Sequence, residues 1–200
     1  MTKSTKSFAA PRSPRLAELK RGWKGEGAAQ IVEFAISLPL LVLLVVGIFD
    51  FSSALTLKQR LTNAAREAAR VAAADPASDL GSPSTPVPAS IGDAFQVADK
   101  YLVSEKINDC GLGAPVVPAV AGLTWTYTAN GNGCPGNGIT LAINRGCTNP
   151  IPTTTLNSIG TCITITYAYK WEFNNVASSL GWTASGPNTL TVTAVAFNEN

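Results

Sequence analysis

The sequence predicts an α+β protein. A long N-terminal helix, transmembrane in one half and exposed in the other, precedes a small antiparallel β-rich domain with a disulfide-stapled loop region. Three observations carry this. An apolar run near the N-terminus is long enough to cross a bilayer, a helical stripe continues directly out of it, and two late segments alternate with period two.

Residues 1–27 hold seven Lys or Arg against Glu18 and Glu26, with Pro11, Pro14, Gly22 and Gly25 among them. So little apolar surface cannot offset the entropy of ordering, and the stretch reads as a disordered, basic cytoplasmic leader. A nucleic-acid role would need interleaved aromatics and a folded context. Topology is the simpler use of this charge, so no nucleic-acid partner is expected.

Residues 28–51 read as the transmembrane helix. Phe34–Phe49 is sixteen residues without a formal charge, and extending back to Ala28 adds a single acid, Glu33. At about 1.5 Å per residue such a helix matches a hydrocarbon core of roughly 30 Å, which makes membrane lipid a partner. Basic residues beside the first apolar segment hold that end inside and send the rest of the chain out. The apolar core is too long for a signal peptide and no A-x-A site follows it, so cleavage behind it is not expected. Pro39 lacks an amide donor and is placed to kink the helix. Asp50, at the outer end, marks the bilayer surface, where a charge reaches headgroups and water.

The helical pattern continues through residues 52–74, rich in Ala, Leu, Arg and Glu. Leu57, Leu61, Ala64, Ala65, Ala68, Val71 and Ala72 recur at three- and four-residue steps, a stripe expected to pack on the domain's own sheet. Asp75-Pro76 ends the helix, and residues 75–90 form a Pro/Ser linker. The domain proper spans 91–200. It opens with a helix from Ile91 to about Asn108 whose apolar face holds Phe95, Ala98, Leu102 and Val103. Segment 110–160 is dense in Gly, Pro, Asn and Thr, with strands expected at Leu123–Thr128 and Ile139–Ile143. Thr161–Phe173 and Asn188–Phe197 alternate β-branched or aromatic residues with period two, the mark of antiparallel strands. Val176–Leu180 reads as a helical turn or loop between them.

Cys110, Cys134, Cys147 and Cys162 all fall on the expected outer side. An even count in an exported domain reads as two disulfides, with three connectivities open. There is no CxxC pair and no histidine, so neither a zinc site nor any other metal or cofactor is expected. Without histidine there is no Ser-His or Cys-His pair, the carboxylates are scattered, and no catalytic residues emerge. Gly131–Gly138, GNGCPGNG, lacks the strand–loop–helix setting and the Lys-Ser/Thr of a phosphate cradle and reads as a loop. Trp125, Tyr127, Tyr169, Trp171 and Trp182 are read chiefly as core, with a ligand-stacking surface as the alternative.

Four pieces share one order and register: VEFA at Val32–Ala35, LPLL at Leu38–Leu41, GIFDF at Gly47–Phe51 and LTNAAREAAR at Leu61–Arg70. Together they resemble the start of TadE-like proteins, the minor pilins or pseudopilins of the Tad (Flp) type IV pilus. The closing YAYKWEF and LTVTAVAF are similar to that family's last strands. The resemblance implies a prepilin whose basic leader is removed on the cytoplasmic face by a membrane-embedded aspartic peptidase. Such cleavage typically follows Gly and leaves Glu at the fifth mature position, which confines it here to Gly27, Ala28 and Ala29. Cutting after Ala28 places Glu33 fifth; cutting after Gly27 places it sixth. Glu33 would then pair with the free N-terminal amine of a neighbouring subunit and bring subunits into register. An acid within a membrane helix costs about 2.5–3.5 kcal/mol and ordinarily has a task. The implied partners are other pilin subunits, the prepilin peptidase and the inner-membrane pilus platform. The implied role is assembly, initiation or anchoring of a pilus for surface adhesion. The rival expectation is an uncleaved, membrane-anchored extracytoplasmic module that binds a glycan or another surface ligand.

Overall fold

The computed structural model describes residues 26–81, 87–150, 157–179, 181 and 187–198. The chain forms two compact units, Met1–Val45 and Val46–Asn200. The leader up to residue 25 lies outside the described residues, as does Trp182. Helix α1 runs from Glu26 to Ala74 as one element with Pro39 inside it. Its first part makes up the described portion of the first unit; its remainder belongs to the second.

In the second unit, a short 3₁₀ turn at Ala77–Gly81 lies within the expected linker and helix α2 spans Ala89–Ser104. Five strands follow: β1 (Ala119–Ala121), β2 (Thr124–Ala129), β3 (Ile139–Pro150), β4 (Asn157–Ala168) and β5 (Thr189–Phe197). Helix α3 (Glu172–Ser179) sits between β4 and β5. The sheet is an antiparallel meander in the order β1-β2-β3-β4-β5.

Alternation sorts the sheet into two faces. Trp125, Tyr127, Ile139, Leu141, Ile143, Ile163, Ile165, Val192 and Ala194 share one buried cluster with Leu61, Ala64, Ala65, Ala68 and Ala72 of α1 and with Ile91, Ala94, Ala98 and Leu102 of α2. The stripe on α1 therefore packs on the domain's own core, as its spacing requires. The opposite face carries threonines in register, Thr128, Thr140, Thr166 and Thr191 forming one row across four strands. Thr164–Thr193 and Thr166–Thr191 hydroxyls bond at 3.0 and 3.2 Å, the cross-strand pairing that favours Thr on an open face.

Several elements differ from expectation. β1 is three residues between Pro118 and Gly122, too short to show alternation. β3 runs on to Pro150, beyond the expected Ile143, and contains a bulge between Asn144 and Cys147. β4 ends at Ala168, where the alternating pattern continued to Phe173, and residues 172–179 are helical instead. On α2 the buried face is Ser90, Ile91, Ala94, Ala98 and Leu102, while Val103 is exposed, one position off the stripe.

Both disulfides form, Cys110–Cys134 and Cys147–Cys162, with Cα separations of 5.4 and 6.0 Å. The first joins the segment after α2 to the β2–β3 loop. The second crosslinks adjacent strands β3 and β4, so only part of the stapling is in loops. The bulge makes that second bond possible. By parity Cys147 belongs with Ile139, Leu141 and Ile143 on the inner face, whereas Cys162 faces outward; one extra residue in β3 pairs Cys147 with Gly160 and turns it to the outer face. At the end of the β2–β3 loop Gly138 has φ +74°, and a Cβ there would run into the Ala129 carbonyl. Glycine is required there.

Candidate functional site

The sequence-predicted site residues cluster on α1. Gly27, Ala28, Ala29 and Glu33 are helical, and Gly27, Ala29 and Glu33 are exposed. Beside Glu33 the apolar side chains Ile31, Val32, Phe34 and Ile36 each keep 60% or more of their area exposed. A helix that is apolar all round and unburied suits a lipid solvent. The span from Ala29 has a peak mean hydropathy of 2.6 and is long and apolar enough to cross a membrane.

Within that surface Glu33 has no counter-charge on its own helix. One turn away lie Ala29, Gln30, Ile36 and Ser37, and the first cation among the described residues of α1 is Lys58, twenty-five positions on. Ser37 Oγ bonds its own helix through the Phe34 carbonyl, 3.1 Å away. Among the described residues no hydrogen bond or ion pair engages the Glu33 carboxylate.

Asp50, expected to reach headgroups and water, turns instead to its own domain. It is 7% exposed and engaged by its own domain. Tyr169 Oη donates to Asp50 Oδ1 at 2.8 Å and approaches the Asp50 carbonyl at 3.2 Å; the Phe173 amide donates to Oδ2 at 3.0 Å. Asp50 thus supplies a carboxylate to the first turn of α3, where amides have no intrahelical acceptor and negative charge is favoured. Gly47, one turn earlier, lies against the same segment, where a Cβ would touch the Phe173 ring at 3.4 Å. Burial, then the hydrogen bond to Asp50 and the charges of Asp50 and Glu172, push the Tyr169 phenol up to about 12. The proton stays on the phenol, which keeps it a donor.

Arg145 carried no signal in the sequence. It lies in the β3 bulge, 1% exposed, and donates to the Asp75 carbonyl at 2.8 Å and to Thr161 Oγ1 at 3.3 Å. It ties the C-terminal end of α1 to the sheet. Burial lowers its pKa, opposed by the charges of Asp79 and Asp75.

The aromatics divide between the two expected fates. Trp125 and Tyr127 are core, Tyr127 stacking on Phe95 with ring centroids 4.3 Å apart. Tyr169 and Trp171 are half-buried and meet edge to face at 4.9 Å. Among the described residues no group of three or more His, Cys, Asp or Glu is placed to hold a metal ion.

No curated protein and no solved structure matches the chain. A family model described as TadE-like protein does, over residues 28–70. The matched segment covers the exposed apolar run, Glu33, Pro39, Asp50 and most of the packed stripe, and stops before the β domain. Over that helix the chain is similar to TadE-like proteins, a family of pilus components.

Proposed function

We propose that this protein is a minor pilin, or pseudopilin, of a Tad-type pilus. It is inserted with its N-terminus inside and its β domain outside, and processed at the leader. It assembles with other pilin subunits on an inner-membrane platform, initiating or anchoring the fibre. One observation carries the reading: Glu33 stands exposed on an all-round apolar helix, inside the TadE-like segment, with no cation on the described part of its own helix within many turns. In a bilayer such a carboxylate calls for a positive partner, and a neighbouring subunit's new N-terminal amine has the charge and the depth. The half-exposed, half-packed α1 supports the same role. Its apolar part is free to meet other helices while its Ala-rich part holds the domain.

The test is the intact mass and N-terminal sequence of the protein from membranes, with and without its prepilin peptidase. A mature chain starting at Ala28 or Ala29, made only when the peptidase is present, is expected. A chain starting near Met1 in both strains overturns the processed-pilin reading and leaves an anchored binding module. Glu33→Gln is expected to leave processing and domain stability unchanged while abolishing incorporation into sheared fibres.

A further inference from the structure

A cleft of about 410 Å³ opens beside β4, α3 and the β2–β3 loop, with Tyr169, Trp171, Asn137, Asn174, Asn175 and Asn188 among its walls. Its volume is within the range of small-molecule sites, roughly 300–1,000 Å³. Its chemistry is narrow: two aromatic rings and a cluster of neutral side-chain amides, with Lys170 as the lone charge.

Both rings are held before any ligand arrives. Tyr169 is fixed at its hydroxyl by Asp50, and the Trp171 indole N–H donates to the Pro187 carbonyl at 2.7 Å. Their edge-to-face contact fixes the angle between them. Rings immobilised by their own domain lose little entropy on binding. Of the lining amides, Asn175 is occupied by Glu172 at 2.9 Å. Among the described residues no side-chain hydrogen bond engages the amides of Asn137, Asn174 or Asn188. Each offers two donors and one acceptor to the cleft.

This combination selects one ligand class. A phosphate needs clustered cations or a free helix N-terminus, and the α3 N-terminus is already taken by Asp50 and by its own Glu172. An apolar ligand would leave the amides unpaired. A neutral sugar has an apolar C–H face to lay on an indole and hydroxyls that both donate and accept, which amides match. We propose that this cleft is a binding site for a neutral oligosaccharide, with Trp171 as the stacking platform and Asn174 and Asn188 as the hydroxyl-reading groups. The site belongs to the β domain and does not depend on leader processing.

The test is calorimetric titration of the full chain in phospholipid nanodiscs, which avoids detergents with sugar headgroups. The probes are maltotriose, cellotriose and tri-N-acetylchitotriose. At least one is expected to bind saturably, with a Kd of about 1 mM or tighter. Asn174→Ala and Asn188→Ala should each weaken that binding about tenfold while thermal unfolding of the domain stays in place, and Trp171→Phe should weaken it further. Saturable binding that both Asn variants leave untouched overturns the assignment, as does no saturable heat with any of the three sugars at 50 times that concentration (about 50 mM).

Discussion

The two halves of α1 handle hydrophobicity in opposite ways. From Ile31 to Phe51 most of the large side chains, Leu, Ile, Val and Phe, face outward, exposed. From Ala54 to Ala73 the buried residues are Ala, with Leu61 the one large exception. In the first half the surroundings expected are lipid, so bulky apolar groups are the solvent-facing surface. In the second half the surroundings are water and a sheet, so the apolar stripe turns inward and smallness lets helix and sheet approach closely. Side-chain size, more than hydrophobicity, separates the exposed half from the half that packs on its own domain.

The largest test of that contrast is one chemical change made in both halves. Leu61→Ala removes a fully buried side chain and is expected to destabilise the domain by about 2–5 kcal/mol in thermal unfolding followed by near-UV circular dichroism. Ala68→Leu asks the converse question. Ala68 is fully enclosed, so overpacking should cost about 1–3 kcal/mol by the same measurement.

A smaller effect is expected at the Asp50 junction. The Tyr169 pKa lies near 12 when folded, above about 10 for a free phenol, so its hydrogen bond stabilises in full below pH 10 and is lost as pH rises through 12. Tyr169→Phe should cost about 1.5 kcal/mol at pH 8 and flatten the stability decline between pH 10 and 12. A variant whose pH profile still parallels the wild type would show that the phenol is not the titrating group. The smallest effect is Leu41→Ala, exposed on the apolar half, expected within about 0.5 kcal/mol. Equal losses at Leu41 and Leu61 would erase the distinction between the halves.

What the sequence made legible follows from periodicity. The three- and four-residue stripe and the alternation in β4 and β5 are local signals, and both place most of their residues on the core side. The connections they could not reach are long-range. Asp50 meets Tyr169 and Phe173 across 119 and 123 residues, and that contact accompanies the end of β4 at Ala168, although alternation alone would carry the strand to Phe173. The Cys147–Cys162 pairing depends on a bulge that shifts parity by one, invisible to a period-two reading. Arg145 was a lone cation in a loop-like stretch, and nothing local foretold its burial against the end of α1. Of the candidate site, Glu33 stood out because an acid in an apolar run is conspicuous; the paired rings and amides of the cleft come from three separated segments and become a site only when folded.

The two disulfides also set how the domain would respond to being pulled. They close loops of 24 and 15 residues, and a covalent crosslink carries load past everything between its ends. At roughly 3.3–3.6 Å per residue, about 130 Å of backbone is withheld from extension for as long as both bonds stay oxidised. The β3–β4 pairing at the centre of the sheet cannot unzip past Cys147 and Cys162 from its Pro150–Asn157 end. Under tension the strand free to peel first is β5, at the sheet's edge and outside both crosslinks. A reducing environment would turn a short, stiff tether into a long, compliant one without altering the sequence.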